Sequence, residues 1–181
     1  KIAEMHNLPI VEDAAHSIGA EYHGKRIGTF NDTACFSFYP IKNMTTGEGG
    51  LLATNDDELA EIAGIYSLHG MSKNAWQRYS AKGTPHWQIL MPGWKYNMTD
   101  VQASLGMHQI KKLDNFIEIR ERYTKMYKEA FKNIPEIILP TRINEIKHAR
   151  HLFIIMLDLE KLEIGRDKFM ELMKEEGIGT G

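Results

Sequence analysis

Short apolar runs alternate along the chain with apolar positions at helical spacing, which points to an α/β architecture rather than all-α or all-β. Residues 8–12, with the run Pro9, Ile10, Val11, read as a first strand. Residues 33–38 follow a glycine-containing connection as a second, and 50–54 form a third that ends at Asn55. Asn55 with Glu58 three residues on has the form of a capped helix start, and the helix runs to about Leu68. Thr99 with Gln102 repeats that signature. Beyond it Val101, Leu105, Ile110, Leu113, Phe116 and Ile117 carry helical spacing towards Ile134, as one long helix or a broken pair. A further strand is expected at 152–157 and a last helix at 166–176, stopped by Gly177. Between 71 and 94 the periodicity fails. All three tryptophans, Trp76, Trp87 and Trp94, lie there with Gly83, Pro85, Pro92 and Gly93, and irregular stretches of that length are usually functional.

Neither end of the chain closes an element. Ile2 and Met5 are spaced as in the last turns of a helix, and Ile178, Gly179, Thr180 and Gly181 lead on from a helix stop. The 181 residues are therefore expected to be a fragment, with a domain boundary near Pro135: residues 1–134 in one domain and 135–181 at the start of a smaller one. With 22 basic and 24 acidic residues, a net charge of -2 and a pI near 6.5, the chain has no basic footprint for nucleic acid or an anionic membrane surface. Its longest apolar run, 152–157, is far short of the roughly 20 residues that span a bilayer. The single cysteine, Cys35, has no intrachain partner and no leader pattern opens the sequence, so a reducing cytoplasm is expected.

Charged residues gain meaning from their place after the strands. Asp13 follows the first strand and Lys42 comes soon after the second, and open α/β sheets bind ligands beyond the carboxyl ends of their strands, so the two either share one ligand crevice or are a structural ion pair or solvated loop charges. Lys42 lies between the aromatic Phe36, Phe38 and Tyr39 and the glycine-rich Gly47, Gly49 and Gly50, surroundings that suit a desolvated, Schiff-base lysine. Ser37 could offer a hydroxyl to a phosphate. Residues 19–25 match the G-x-x-x-x-G-K of a phosphate loop, but Arg26 stands where Ser or Thr would hold magnesium and a strand pattern follows, so a turn is expected. His148 and His151 lack an acid or cysteine partner at zinc spacing, and His151 reads as a strand start; no metal is expected. Met98 and Met107 are expected to fill core gaps.

Six segments in order then carry a family resemblance. They are Val11-Glu12-Asp13-Ala14-Ala15-His16; Phe36 to Asn43 running into Thr45-Thr46-Gly47-Glu48-Gly49-Gly50; His69-Gly70; Gly93 to Asp100 with Gln102; His151-Leu152-Phe153; and Gly177 to Gly181. Together they resemble the DegT/DnrJ/EryC1/StrS family of PLP-dependent nucleotide-sugar aminotransferases over almost the whole chain. The wording around His69, Gly70, Met71, Ala75, Trp76 and Arg78, with the closing Gly177 to Gly181, is most similar to the branch that aminates UDP-4-keto sugars, including the UDP-4-amino-4-deoxy-L-arabinose enzyme.

The resemblance implies the type I, aspartate-aminotransferase-like PLP-dependent transferase fold, a mostly parallel sheet in a large domain followed by a small α/β C-terminal domain. It implies pyridoxal 5'-phosphate held covalently by Lys42, with Asp13 on the pyridinium nitrogen, His16 against the ring or its 3-oxygen and Ser37 on the phosphate. Asn97 would reach the phosphate in a neighbouring subunit, so a homodimer with shared active sites is implied. Arg78 would bind the donor carboxylate or nucleotide phosphates, and His151 would face the sugar. The reaction implied is transamination of a nucleotide-linked keto sugar by L-glutamate, which leaves as 2-oxoglutarate, for envelope or exopolysaccharide amino sugars. Arg150 stands where close relatives often carry an aromatic residue, which bears on sugar identity. The rivals are a sugar dehydratase of the same fold, which usually replaces the lysine by histidine, and a non-catalytic regulator.

Overall fold

The structure, a computed structural model, describes residues 1–30, 33–72, 88–141 and 143–181. The chain forms two compact units, Lys1–Asp114 with Glu145–Ala149, and Asn115–Asn144 with Arg150–Gly181.

The first unit is built on a three-stranded sheet. Strand β4 (Thr33–Ser37) lies between β1 (Val11–Asp13) and β5 (Gly50–Thr54), parallel to the first and antiparallel to the second. The register sets Asp13 opposite Cys35 and Ser37 opposite Gly50. Thr33 and Ala34 are buried, as small and β-branched residues on a central strand should be. Strand β1 begins later than residue 8. Helix α1 (Ile2–His6) ends at Asn7 in the left-handed conformation, the Leu8 N–H returns to the Ala3 carbonyl, and Pro9 has no N–H to offer a ladder. Strand β4 stops at Ser37 because the Phe38 N–H turns to the Gly49 carbonyl and closes the loop that leads into β5.

Between β1 and β4, the phosphate-loop look-alike is a hairpin. Strands β2 (Glu21–Tyr22) and β3 (Lys25–Arg26) flank His23 and Gly24, both with positive φ, the backbone of a two-residue type I' turn. Strand β7 (Ile146–Lys147) adds to its other side, supported by the Lys147–Glu21 ion pair at 3.1 Å.

Helix α2 (Asp57–Ser67) is capped by Asp56, whose carboxylate accepts from the Leu59 N–H at 3.0 Å, one residue later than the expected Asn55. Both residue types cap well; Thr54 decides between them by accepting the Asp56 N–H, which closes the turn one residue on. The chain returns over the end of α2 at 88–97. There Trp94 N–H meets Tyr66 O, His69 N–H meets Trp94 O and Leu90 N–H meets Gly70 O, each at 2.8 Å. Gly70 and Gly93 face each other so closely that a Cβ on Gly93 would run into the backbone nitrogen of Gly70.

The expected helix towards residue 134 is a broken pair, α3 (Asp100–Ile110) and α4 (Leu113–Phe131). Thr99 and Gln102 form the full capping box at the start of α3. Met98 is half-buried against the Thr46–Gly49 loop, whereas Met107, expected in a core gap, is exposed because the described residues put no element over its face of α3.

In the second unit α4 contributes buried Ile117 and Thr124. Tyr127 stacks on Phe153 with ring centroids 5.1 Å apart. Strands β6 (Ile137–Ile138) and β8 (Met156–Leu157) pair antiparallel, and the Lys161 ammonium, hydrogen-bonded to Asp158 just after β8, holds that carboxyl below its ordinary range. The strand expected at 152–157 shrinks to two residues, since among the described residues only Met156 and Leu157 of that run find ladder partners, in β6; ahead of it Arg150 takes a left-handed φ of 51° and His151 sits in a bend rather than at a strand start. Helix α5 (Arg166–Glu175) ends in a Schellman motif, with Gly177 N–H on Lys174 O and Ile178 N–H on Met173 O.

Candidate active site

Parallel pairing of β1 and β4 brings their carboxyl ends out on one side of the sheet. Asp13, the last residue of β1, is exposed, and its Oδ1 accepts the Ala15 N–H at 3.0 Å. That short turn fixes the carboxylate at the rim while the Ala14 N–H bonds the Cys35 carbonyl on β4. Further turns, Ser17 N–H to Ala14 O and Ala20 N–H to Ser17 O, coil the chain away and leave His16 exposed, three residues past Asp13. On the neighbouring strand, Ser37 Oγ accepts the Tyr39 N–H at 3.4 Å.

Lys42 follows on a closed loop. Thr46 N–H and the Thr45 hydroxyl both donate to the Phe38 carbonyl at 3.0 Å, and the Lys42 N–H donates to Tyr39 O at 3.0 Å. The Thr46 hydroxyl donates to Glu48 O at 2.7 Å. Beside the half-buried Lys42, Asn43 and Met44 are buried, and the Asn43 side-chain amide donates to the Ala149 carbonyl at 2.6 Å. The lysine therefore stands on a backbone anchored from within the loop and from residue 149. Asn43, Thr45 and Thr46 were not candidates on sequence grounds; only their place in a short polar run after the lysine pointed to them.

Asn97 lies on the segment stapled to the end of α2. Its N–H bonds Ser67 O at 3.0 Å and its Oδ1 accepts from Lys95 Nζ, so its amide is oriented by a neighbour two residues away. Arg78, with Trp76 and Trp87, lies outside the described residues. His151 belongs to the second unit, where Arg120 Nη1 donates to its carbonyl at 3.2 Å. The structure thus brings Asp13, Ser37 and the Lys42 loop to one end of the sheet and places Asn97 and His151 on other segments. A cavity of about 940 Å³ bordered by Val11, Thr33 and Asn55 lies at the opposite end of the same strands and takes no part in this arrangement.

The DegT/DnrJ/EryC1/StrS aminotransferase family profile matches residues 1–181. The chain belongs to that family. It is 49% identical over 180 residues to MJ1066, an uncharacterized protein of Methanocaldococcus jannaschii, covering 99% of this chain and 47% of that one. With the spore coat polysaccharide biosynthesis protein SpsC of Bacillus subtilis it shares 43% identity over 180 residues, 99% of this chain and 46% of SpsC. Among solved structures it matches Helicobacter pylori PseC, an aminotransferase involved in the biosynthesis of pseudoaminic acid, with a TM-score of 0.87 and 28% identity, covering 97% of this chain and 45% of PseC. The chain thus spans about half the length of the curated relatives it matches.

The fold is that of the type I PLP-dependent transferases, and the cofactor of the DegT/DnrJ/EryC1/StrS family is pyridoxal 5'-phosphate. The donor set at the sheet end suits that group. A carboxylate, a hydroxyl and a primary amine rise from the ends of two adjacent strands, matching a protonated ring nitrogen, a phosphate and an aldehyde in charge and chemistry.

Proposed function

We propose that the protein to which these residues belong is an aminotransferase of nucleotide-linked keto sugars, taking a UDP-4-keto sugar as acceptor and L-glutamate as donor, which departs as 2-oxoglutarate. The observation that carries this reading is the convergence of Asp13, Ser37 and the Lys42 loop at the carboxyl ends of β1 and β4. SpsC, a spore coat polysaccharide biosynthesis protein, and PseC, an aminotransferase involved in the biosynthesis of pseudoaminic acid, support an amino sugar of an envelope or exopolysaccharide as product.

In this reading Asp13 holds the pyridinium nitrogen, Ser37 binds the phosphate, His16 lies against the ring and Lys42 anchors the cofactor. When bound, pyridoxal phosphate supplies the electron sink and carries the amino group between the two substrates. Lys42 Nζ, released by the incoming amine, takes the proton from the α-carbon of glutamate and, in the second half of the cycle, protonates the sugar carbon that receives nitrogen. The loop hydrogen bonds around Thr45 and Thr46 keep that amine at a fixed place between the two transfers. Asn97 serves the phosphate in the neighbouring subunit of a homodimer, Arg78 binds the donor carboxylate or the nucleotide phosphates, and His151 faces the sugar. Residues 1–134 belong to the large domain and 135–181 open the small one, in a cytoplasmic enzyme.

The test is the visible absorption of the full-length protein as purified, followed on addition of glutamate and repeated for Lys42→Ala. The wild type is expected to show a cofactor band that glutamate shifts, and the variant to lose the covalent band and at least about a thousandfold in turnover, the scale seen when a group central to proton transfer is removed. A protein that takes up the cofactor yet shows no response to glutamate would be a dehydratase or a non-catalytic relative instead.

A further inference from the structure

We propose that Arg120 and Glu121, successive residues of α4, are positioning residues that set how His151 is presented to the sugar; the inference rests on the role given to His151 above. Arg120 Nη1 donates to two successive carbonyls, Arg150 O at 3.1 Å and His151 O at 3.2 Å. In an extended chain successive carbonyls point to opposite sides, so one guanidinium nitrogen could not reach both. The bend of the chain at His151 turns them towards the same cation, and Arg150 just before it is left-handed, φ 51°. That conformation is unfavourable for a residue with a Cβ and persists only where its surroundings impose it.

Glu121 supplies the second restraint. Its Oε2 meets Arg150 Nε at 2.7 Å, and the Arg150 side chain is only 15% exposed, so this is a partly desolvated pair rather than a surface one. The next ring along, Phe153, stacks on Tyr127 of the same helix. Residues 120 and 127 are seven apart and so share a helix face, with buried Thr124 between them. Helix α4 thus holds the 150–153 backbone on both sides of His151 and determines the direction in which its side chain leaves the chain. An arginine at 150, in place of an aromatic residue, gains a function from this arrangement: it is the handle by which Glu121 holds the turn.

Transamination in the full-length enzyme separates into a glutamate half-reaction and a sugar half-reaction, which gives the readout. Arg120→Ala is expected to raise KM for a UDP-linked 4-keto pentose about tenfold, as loss of charge-assisted bonds does, while the glutamate half-reaction stays within about twofold of wild type. Arg120→Lys, which keeps the charge without the planar fork, recovers part of the loss, and Glu121→Gln gives a smaller rise of the same kind. If Arg120→Ala does not fold, those two variants carry the comparison. Equal losses in both half-reactions, or an unchanged sugar KM in every variant, would overturn the proposal. His151→Ala separates the two readings. If it leaves the sugar KM unchanged, the role of His151 falls and the positioning claim with it; if it raises KM while the Arg120 and Glu121 variants are silent, the positioning claim alone falls.

Discussion

Asn43 is buried beside Lys42, and its side-chain amide reaches the carbonyl of Ala149, which is equally buried. The bond joins residues 106 positions apart and holds the lysine loop from outside itself. Removing a donor from a buried carbonyl leaves that group with its desolvation cost and no return. Asn43→Ala is therefore expected to destabilise the full-length protein by about 1–3 kcal/mol, read from the urea midpoint, and to slow the glutamate-dependent absorption change because Lys42 loses its neighbouring anchor. Asn43→Asp should be worse, since a carboxylate oxygen would then face a carbonyl oxygen. Midpoints equal to wild type for both variants would show that the loop is held by its internal threonine bonds alone.

At the scale of elements, the return of 88–97 over the end of α2 depends on two glycines that touch backbone to backbone. A methyl group at Gly93 has no flexible neighbour to displace, only the His69–Gly70 peptide, so the segment that carries Asn97 must shift. Gly93→Ala is expected to cost about 2 kcal/mol or more, against about 1 kcal/mol for Thr99→Ala, which loses a cap while the packing stays intact. Thermal unfolding of the two variants side by side checks the order, and a Gly93 variant as stable as wild type would mean that the segment relaxes freely. These elements also show what was legible beforehand. Strand β5, the start of β4, the Thr99–Gln102 box and the helix stop at Gly177 follow from local chemistry: a glycine after a polar loop, a period of two, a reciprocal cap. Asp13, Ser37 and Lys42 were visible as well, because strand ends mark where side chains can gather. The two-residue strands β2, β3, β6 and β7 were not, since two residues carry no period and their pairing is decided by distant partners such as Lys147 and Glu21. The break at Arg150 was hidden for a related reason: the residues that bond to it, Arg120 and Glu121, sit 30 and 29 positions upstream on a helix.

At the scale of the whole molecule, the described residues leave apolar faces that a finished protein would cover. Val101 and Met107 of α3 are 73% and 65% exposed, and Leu105 and Ile110 are exposed too. At 100° per residue those four positions circle the helix rather than forming one stripe, the pattern of a helix covered on all sides. The chain spans about half the length of its curated relatives, and in the proposed homodimer a second subunit would cover α3. Asn97 precedes α3 by three residues, with its backbone tied to Ser67, so an interface over α3 would bring Asn97 to the edge of the partner's site. Mixing inactive variants tests that geometry. Lys42→Ala and Asn97→Asp, each inactive as a homodimer of the full-length protein, form a mixed dimer in which one of the two sites draws Lys42 and Asn97 from unaltered chains. With random exchange of subunits half of the dimers are mixed, and activity should return to about a quarter of wild type. If Asn97 instead served the site of its own chain, every site in the mixture would lack one residue or the other, and no activity would return.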